Sequence, residues 1–184
     1  MEFKESGLIF KFGEQWEVTQ LDTEKDYANV CNKIPGTKSI DFIGINKSED
    51  MLVLIEVKGF RGYGKQNSIQ NRLSGKQDDI IIEIAQKVRD SLAVILGGCR
   101  NSTNQTELWK ACIKHIKDNK KVRIIAWLEI DESTEVMLRR AKVQMSIRRK
   151  ELRKILLWLT SDIDILNTKS YNNEINGISV AISL

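Results

Sequence analysis

The sequence predicts a mixed α/β fold, in which a mixed β-sheet is flanked by helices. Short apolar runs rich in Ile and Val, bounded by turn residues, are typical of strands, and residues 40–45, 51–57 and 122–130 show this pattern. Longer stretches with apolar residues at helical spacing cover residues 76–96, 104–119 and 133–159. The alternation of the two patterns along the chain favours a sheet with helices packed on it.

The composition is that of one globular domain. The chain has 184 residues, 41% of them hydrophobic, with a single proline, so residues 1–184 are expected to form one domain with a sizeable core. No apolar run approaches the length of a membrane span and the start lacks a signal peptide, so we expect a cytoplasmic protein without a membrane partner. The three cysteines show no metal-binding spacing and are expected to be reduced thiols, and the single histidine, His115, is expected on a helix surface.

The chain begins with two predicted strands and a helix. Residues 8–12 and 15–20 are expected to pair as a short hairpin around Gly13 and Glu14. Thr23 to Ile34 carries an apolar stripe at helical spacing and is followed by Pro35 and Gly36, which end a helix.

Residues 38–58 predict a second, central hairpin. Its two apolar runs are joined by a short polar stretch, and a turn centred on residues 48 and 49 places residue 46 opposite 51, 43 opposite 54 and 41 opposite 56. Asp41 then lies across from Glu56, and Lys58 shares the face of Glu56 because side chains alternate along a strand. Three charges are therefore expected at one end of an otherwise apolar hairpin.

Such a cluster needs a compensating partner. Opposed like charges destabilise a sheet, and buried carboxylates need a counter-charge. A divalent cation would supply it, because Mg²⁺ takes one or two carboxylates together with water and substrate phosphate as ligands. The sequence thus predicts that Asp41 and Glu56 bind Mg²⁺, or Mn²⁺ in its place.

Asp41 together with Glu56-Val57-Lys58 resembles the motif of the PD-(D/E)XK nuclease superfamily, which has the restriction-endonuclease-like fold. The resemblance implies that the two acids bind metal and that Lys58 assists the attacking water. It also implies an αβββαβ core, here over residues 8–130, with a helical and strand extension over residues 131–184. The proline of the motif is absent, since Ile40 precedes Asp41.

The stretch after the motif is rich in glycine, aromatic residues and cations. Residues 59–75 are expected to form a long loop, which is suited to a phosphate backbone but also to a plain surface loop. The candidate phosphate-binding residues in and beside it are Arg61, Lys65, Arg72 and Lys76.

A helix predicted over Lys76–Leu96 follows and is expected to end at Gly97-Gly98. Gln77 lies on the face of its apolar stripe, and many members of the resembling family carry a Gln or Lys in this region. We therefore take Gln77 as a further candidate catalytic residue, with a plain helix cap as the alternative.

The remainder is predicted as helix, strand, helix and two short strands. Asn104–Asn119 is expected to be a helix capped by Asn104, residues 122–130 a strand, Ser133–Leu159 a long helix, and residues 162–166 and 177–182 strands.

The long helix carries most of the positive charge. Residues 139–154 hold eight Lys or Arg against one acid, although the whole chain has a net charge of only +4. A basic stripe on a nearly neutral body is typical of a polyanion-binding protein, and Arg148, Arg149 and Lys150 are expected to contact phosphates. The same helix could instead provide the seam of a homodimer or larger assembly.

The sequence therefore predicts a Mg²⁺-dependent endodeoxyribonuclease: DNA is favoured over RNA as the substrate, and the choice between the two stays open. Two alternatives stay open: a non-catalytic nucleic-acid-binding module of the same fold, and an assembly subunit whose carboxylates are incidental.

Overall fold

The structure is a computed structural model that describes residues 1–25, 27, 34–62, 66–76, 79–130, 135–171 and 175–183, with the side chains of residues 135–142 left aside. In this part of the chain, two β-sheets are flanked by four α-helices, as the predicted mixed α/β class requires. The strands are β1 (Glu2–Glu5), β2 (Leu8–Phe12), β3 (Trp16–Gln20), β4 (Phe42–Asn46), β5 (Met51–Phe60), β6 (Lys121–Ile130), β7 (Asp162–Leu166) and β8 (Ile178–Ile182). The helices are α1 (Asn67–Ser74), α2 (Ile80–Asn101), α3 (Thr106–Lys117) and α4 (Glu135–Leu156).

The larger sheet has the order β3-β4-β5-β6-β7. Its first three strands are antiparallel neighbours, whereas β6 is parallel to β5 and β7 is parallel to β6. Helices α2 and α3 connect β5 to β6, and α4 connects β6 to β7. Such connections are needed because parallel neighbours cannot be joined by a tight turn.

The register of the central hairpin is confirmed. Asn46 lies opposite Met51 and Ile43 opposite Leu54, as the polar turn between the strands predicted. The turn is closed by the Asn46 side chain, whose Oδ1 accepts hydrogen bonds from the backbone N–H groups of Ser48 and Glu49.

The predicted hairpin of β2 with β3 is wrong, although both strands exist. β2 pairs with β1 and with β8 in a separate three-stranded sheet, while β3 pairs with β4. The Gly13 N–H donates to the carbonyl of Gly177, which anchors the end of β2 beside β8. The chain then enters β3 of the larger sheet. Phe12 of β2 and Trp16 of β3 belong to one apolar core that both sheets share.

The larger sheet is covered on both faces. Helices pack on one face in a core that includes Ile43, Leu54, Ile84 and Trp109. The three-stranded sheet covers the other face, where Phe10 packs on Phe42 and Trp127. This double cover explains why β4 is buried along its whole length.

Three predicted helix boundaries need correction. Helix α2 begins at Ile80 rather than Lys76, after Asp79, whose side chain accepts a hydrogen bond from the Ile81 N–H. It continues through Gly97-Gly98 to Asn101, because Gly98 serves close packing rather than helix termination: a Cβ there would lie 2.7 Å from Trp109 Cδ1. Helix α3 follows Gln105, which is in the left-handed region, and not the predicted cap Asn104.

The predicted loop over residues 59–75 is also largely wrong. β5 continues through Phe60, and α1 occupies Asn67–Ser74. Residues 63–65 lie outside the described residues, as does most of the helix predicted over Thr23–Ile34. Helix α4 and strands β6, β7 and β8 lie close to their predicted positions, within two to three residues at each end.

The predicted surface position of the histidine is wrong, whereas the predicted reduced state of the thiols stays a prediction. Cys99 and Cys112 are free, while Cys31 lies outside the described residues. His115 is buried rather than exposed, with its Nδ1 2.8 Å from the Ala111 carbonyl oxygen. No described helix is long and apolar enough to cross a membrane.

Candidate active site

The first residue of the site is Asp41, which immediately precedes β4. Its backbone N–H donates to the carbonyl of Ile55, so the hairpin pairing extends to this residue. Its side chain turns toward β5, where Oδ2 accepts a hydrogen bond of 2.6 Å from the Val57 N–H. The carboxylate of Asp41 is therefore hydrogen-bonded to β5, the strand that carries Glu56 and Lys58.

Glu56 lies on the helix-covered face of β5 with a fully buried side chain. Its Oε1 accepts from two ammonium groups, Lys87 Nζ at 2.6 Å and Lys58 Nζ at 2.9 Å. Its Oε2 is buried and has no hydrogen-bond partner among the described residues. A buried carboxylate oxygen without a donor is costly, and such an atom calls for an explanation by function or by a bound ion.

Lys58 is anchored by two carboxylates. Its Nζ lies 2.9 Å from Glu56 Oε1 and 3.0 Å from Glu83 Oε1. Burial favours the neutral amine, but the two carboxylates outweigh it and raise the pKa of Lys58 above its ordinary value. Lys58 is therefore a fixed positive charge and not a proton acceptor at neutral pH.

The electrostatics of Asp41 are the reverse. Burial and the negative charge of Glu56 raise the pKa of the Asp41 carboxyl to about 7, although Lys87 and the Val57 N–H act in the opposite direction. Asp41, buried beside the negative charge of Glu56, thus resists ionisation.

Three further charged residues complete the site: Glu83 and Lys87, which the sequence did not single out, and Arg72, which the sequence predicts as a phosphate-binding residue. Glu83 and Lys87 are one turn apart on α2, and Arg72 on α1 binds Glu83 through its guanidinium while lying over the Phe60 ring. Burial alone would raise the pKa of the Glu83 carboxyl, but Lys58 and Arg72 hold it below the usual range. The spacing of Glu83 and Lys87, four residues apart beside the apolar stripe, was the available signal.

The other predicted site residues divide into three groups. Gln77 and Lys65 lie outside the described residues. Arg61 lies beyond the end of β5 and pairs with Glu129 at 2.9 Å, whereas Lys76 is exposed after α1. Neither is among the residues that contact Glu56.

The cations of α4 also differ from one another. Arg148 is buried, 7% exposed, and its guanidinium binds Asp79 and Glu151. Arg149 is partly exposed and pairs with Asp164 at 2.5 Å and with the Ile163 carbonyl at 2.7 Å. Lys150 is exposed. The contacts of Arg148 give it a structural role. Of the three residues of α4 that were predicted to contact phosphates, Arg149 and Lys150 are therefore the accessible ones.

The residues fit a divalent cation in their chemistry. Asp41 and Glu56 offer carboxylate oxygens, the ligands that Mg²⁺ prefers, and Glu56 Oε2 is the unpaired atom that such an ion would satisfy. Among the described residues no three His, Cys, Asp or Glu side chains form a ready metal-binding group. A Mg²⁺ ion at this place would accordingly rely on two carboxylates, with water and substrate oxygens as its remaining ligands.

Comparisons with protein-family models, with curated proteins and with solved structures give no significant match to this chain.

Proposed function

We propose that this protein is a metal-dependent nuclease that hydrolyses phosphodiester bonds, with DNA as the favoured substrate. The observation that carries the proposal is the buried pair of Asp41 and Glu56, with an unpaired Glu56 oxygen, beside the ammonium group of Lys58. Two carboxylates that can hold a metal ion and a lysine that can stabilise developing negative charge are suited to metal-assisted phosphodiester hydrolysis.

In this mechanism Asp41 and Glu56 would hold Mg²⁺ or Mn²⁺. When bound, the ion would polarise a phosphoryl oxygen and lower the pKa of its water. The Val57 N–H fixes the orientation of Asp41. Lys58, kept charged by Glu56 and Glu83, directs a positive group toward the reacting phosphate, where it orients the attacking water or stabilises the charge that develops on phosphorus.

The topology supports the resemblance to the restriction-endonuclease-like core. β3, β4 and β5 form an antiparallel meander, and α2 leads toward the parallel strand β6. The acids and Lys58 lie at the end of the second and third strands of this meander, where the motif would place them. The first helix of the αβββαβ order has no described counterpart, because the helix predicted over Thr23–Ile34 lies mostly outside the described residues.

A series of contacts joins α4 to the site. Gly75 packs against Arg148 of α4, which places the exposed Lys76 beside that helix. Arg72, one turn earlier on α1, contacts Glu83, which in turn contacts Lys58. A polyanion bound at Lys76 would therefore lie beside α1, whose Arg72 leads through Glu83 to Lys58.

Cleavage of plasmid, single-stranded DNA and RNA in Mg²⁺, Mn²⁺ and EDTA tests the proposal. We expect metal-dependent cleavage of DNA by the wild type and its loss in Asp41→Asn and in Lys58→Ala. The matched control is Lys110→Ala on the outer surface of α3, which should cleave like the wild type. Equal cleavage by Asp41→Asn and wild type, or cleavage that persists in EDTA, would refute the proposed site.

A non-catalytic nucleic-acid-binding module is the second candidate, and one observation favours it. The three carboxylates of the site, on Asp41, Glu56 and Glu83, contact three cations, on Lys58, Lys87 and Arg72. In such a module these ion pairs are structural. DNA binding would then be unaffected by EDTA and by Asp41→Asn, and no cleavage would occur under any metal condition.

A further inference from the structure

The two lysines that bind Glu56 are not equivalent. Both contact Oε1. Lys58 also contacts the carboxylate of Glu83, which is not one of the two proposed metal ligands. The contacts of Lys87 are with the two proposed ligands themselves: its Nζ lies 2.6 Å from Glu56 Oε1 and 3.9 Å from Asp41 Oδ1. The ammonium group of Lys87 thus lies between the two carboxylates.

We propose that Lys87 occupies the cation position between Asp41 and Glu56, so that Lys87 and a divalent metal ion exclude each other. The inference rests on the proposed function, since it names the group that the metal must displace. Lys87 would keep the two carboxylates compensated when no metal is present, and it would set the metal affinity of the site.

Charge and space both support mutual exclusion. Mg²⁺ binds its oxygen ligands at about 2.0–2.1 Å and needs lone pairs on both carboxylates. An ammonium group 2.6 Å from Glu56 Oε1 already uses one of these lone pairs and adds a like charge at the same place. The metal therefore enters only as the Lys87 ammonium leaves.

Lys58 differs in what happens after the exchange. If Glu56 turns to a metal ion, Lys58 keeps its contact of 3.0 Å with Glu83 and stays beside the site. The side chain of Lys87 is 12% exposed, so part of it already reaches solvent, and among the described contacts its ammonium group has none with Glu83 to retain it beside the site. The exchange thus removes one lysine and leaves the other in position for the phosphate.

Calorimetric titration of the full chain with MnCl₂ tests this inference. A hydrogen bond between charged groups corresponds to a roughly ten- to hundredfold change in an equilibrium constant. We therefore expect Lys87→Met, which keeps the side-chain length but lacks the charge, to bind Mn²⁺ at least about tenfold more tightly than the wild type. Lys58→Met removes the same charge from the same oxygen and serves as the matched control, with a clearly smaller gain. Lys110→Met, on the outer surface of α3, should leave the affinity unchanged.

A measurement on the wild type keeps the inference testable if Lys87→Met does not fold. Acetylation of lysines, located by peptide mass spectrometry, should proceed slowly at Lys87 without metal and faster at saturating Mn²⁺. The labelling of Lys58 should change much less, because Glu83 retains it.

The outcomes separate this inference from the proposed function. Mn²⁺ binding of equal strength by wild type and Lys87→Met, or labelling of Lys87 that does not respond to Mn²⁺, would overturn the inference and leave the metal site standing. An equal gain in Lys58→Met and Lys87→Met would also overturn it, because charge alone would then explain the effect. If no variant binds Mn²⁺, the proposed metal site fails, and the inference fails with it.

Discussion

At the scale of the residue, the site is defined by an uneven distribution of hydrogen-bond donors over the two carboxylate oxygens of Glu56. Glu56 Oε1 has two ammonium donors, whereas Oε2 has none among the described residues. Asp41, on the neighbouring strand, is held by the Val57 N–H and lies close to the charge of Glu56. Removing a charge should therefore have opposite effects at the two acids: it relieves repulsion at Asp41, but at Glu56 it leaves two cations without their shared partner.

The raised pKa of Asp41 predicts a pH dependence of stability without metal. Because the folded-state pKa is about 7 and the unfolded value is 3.8, the folded state binds more protons between these values. The contribution of Asp41 to the free energy of unfolding is thus fully present below about pH 4 and is lost as the pH rises through 7. Over this range the free energy of unfolding falls by at most about 1.4 kcal/mol per pH unit.

Urea unfolding in EDTA at several pH values between 4 and 8 measures this slope. We expect Asp41→Asn to show a flatter decline than the wild type and an equal or higher free energy of unfolding at pH 8. Asp22→Asn, the same substitution at an exposed position, is the control and should follow the wild type. Parallel pH profiles for Asp41→Asn and wild type would contradict the raised pKa.

The motif residues were predictable and their partners were not, for a physical reason at this scale. Asp41, Glu56 and Lys58 come together because hairpin register follows from turn length and strand alternation, both of which are local. Glu83 and Lys87 lie beside the apolar stripe of α2, and their direction depends on how the helix is rotated over the sheet. That rotation is set by packing against distant residues, which a local pattern does not contain.

At the scale of the element, α4 combines a structural and an accessible part. Arg148 is buried against Asp79 and Glu151, so it ties α4 to the first turn of α2. Lys150 is exposed on the same helix. A count of charges along the sequence treats both as equal, and only the packing of α4 separates them.

This difference predicts separable effects of two matched substitutions. Arg148→Met should destabilise the protein by roughly 2–4 kcal/mol, somewhat below the range for a fully buried pair because Asp79 and Glu151 are partly solvated. Lys150→Met should change the free energy of unfolding by less than about 0.5 kcal/mol. If Lys150 contacts one duplex phosphate, Lys150→Met should also flatten the plot of log binding constant against log salt concentration by about 0.9 in slope.

Urea unfolding and DNA-binding titrations at several salt concentrations check both expectations. A stable Arg148→Met protein would show that the buried ion pairs are dispensable. An unchanged salt slope in Lys150→Met would remove this residue from the proposed interface.

At the scale of the whole molecule, the larger sheet is enclosed by helices on one face and by the three-stranded sheet on the other. Phe10 joins the two sheets, since its ring centroid lies 5.2 Å from that of Phe42 and 5.4 Å from that of Trp127. The pairing of β2 with β8 could not be predicted locally, because strand alternation is the same whichever strand is the partner.

Phe10→Ala tests whether the two sheets unfold as one unit. Loss of a fully buried phenylalanine should lower the free energy of unfolding by about 3–5 kcal/mol. Far-UV circular dichroism and tryptophan fluorescence should still give coincident transitions. Ile182→Ala, at a half-exposed position of β8, is the control and should cost clearly less. Two separated transitions would show that the small sheet unfolds independently.

During synthesis on the ribosome, β2 emerges long before its partner, because Phe12 pairs with Ile178. Until β8 is made, one edge of the β1–β2 hairpin presents unpaired backbone groups, which can template wrong pairing. Its apolar face, with Leu8 and Phe10, also awaits the larger sheet. A nascent chain stalled before residue 178 would therefore be an intermediate with an open sheet edge and a tendency to aggregate. The β1–β2 hairpin is made early, but its sheet is completed only when β8 has been made.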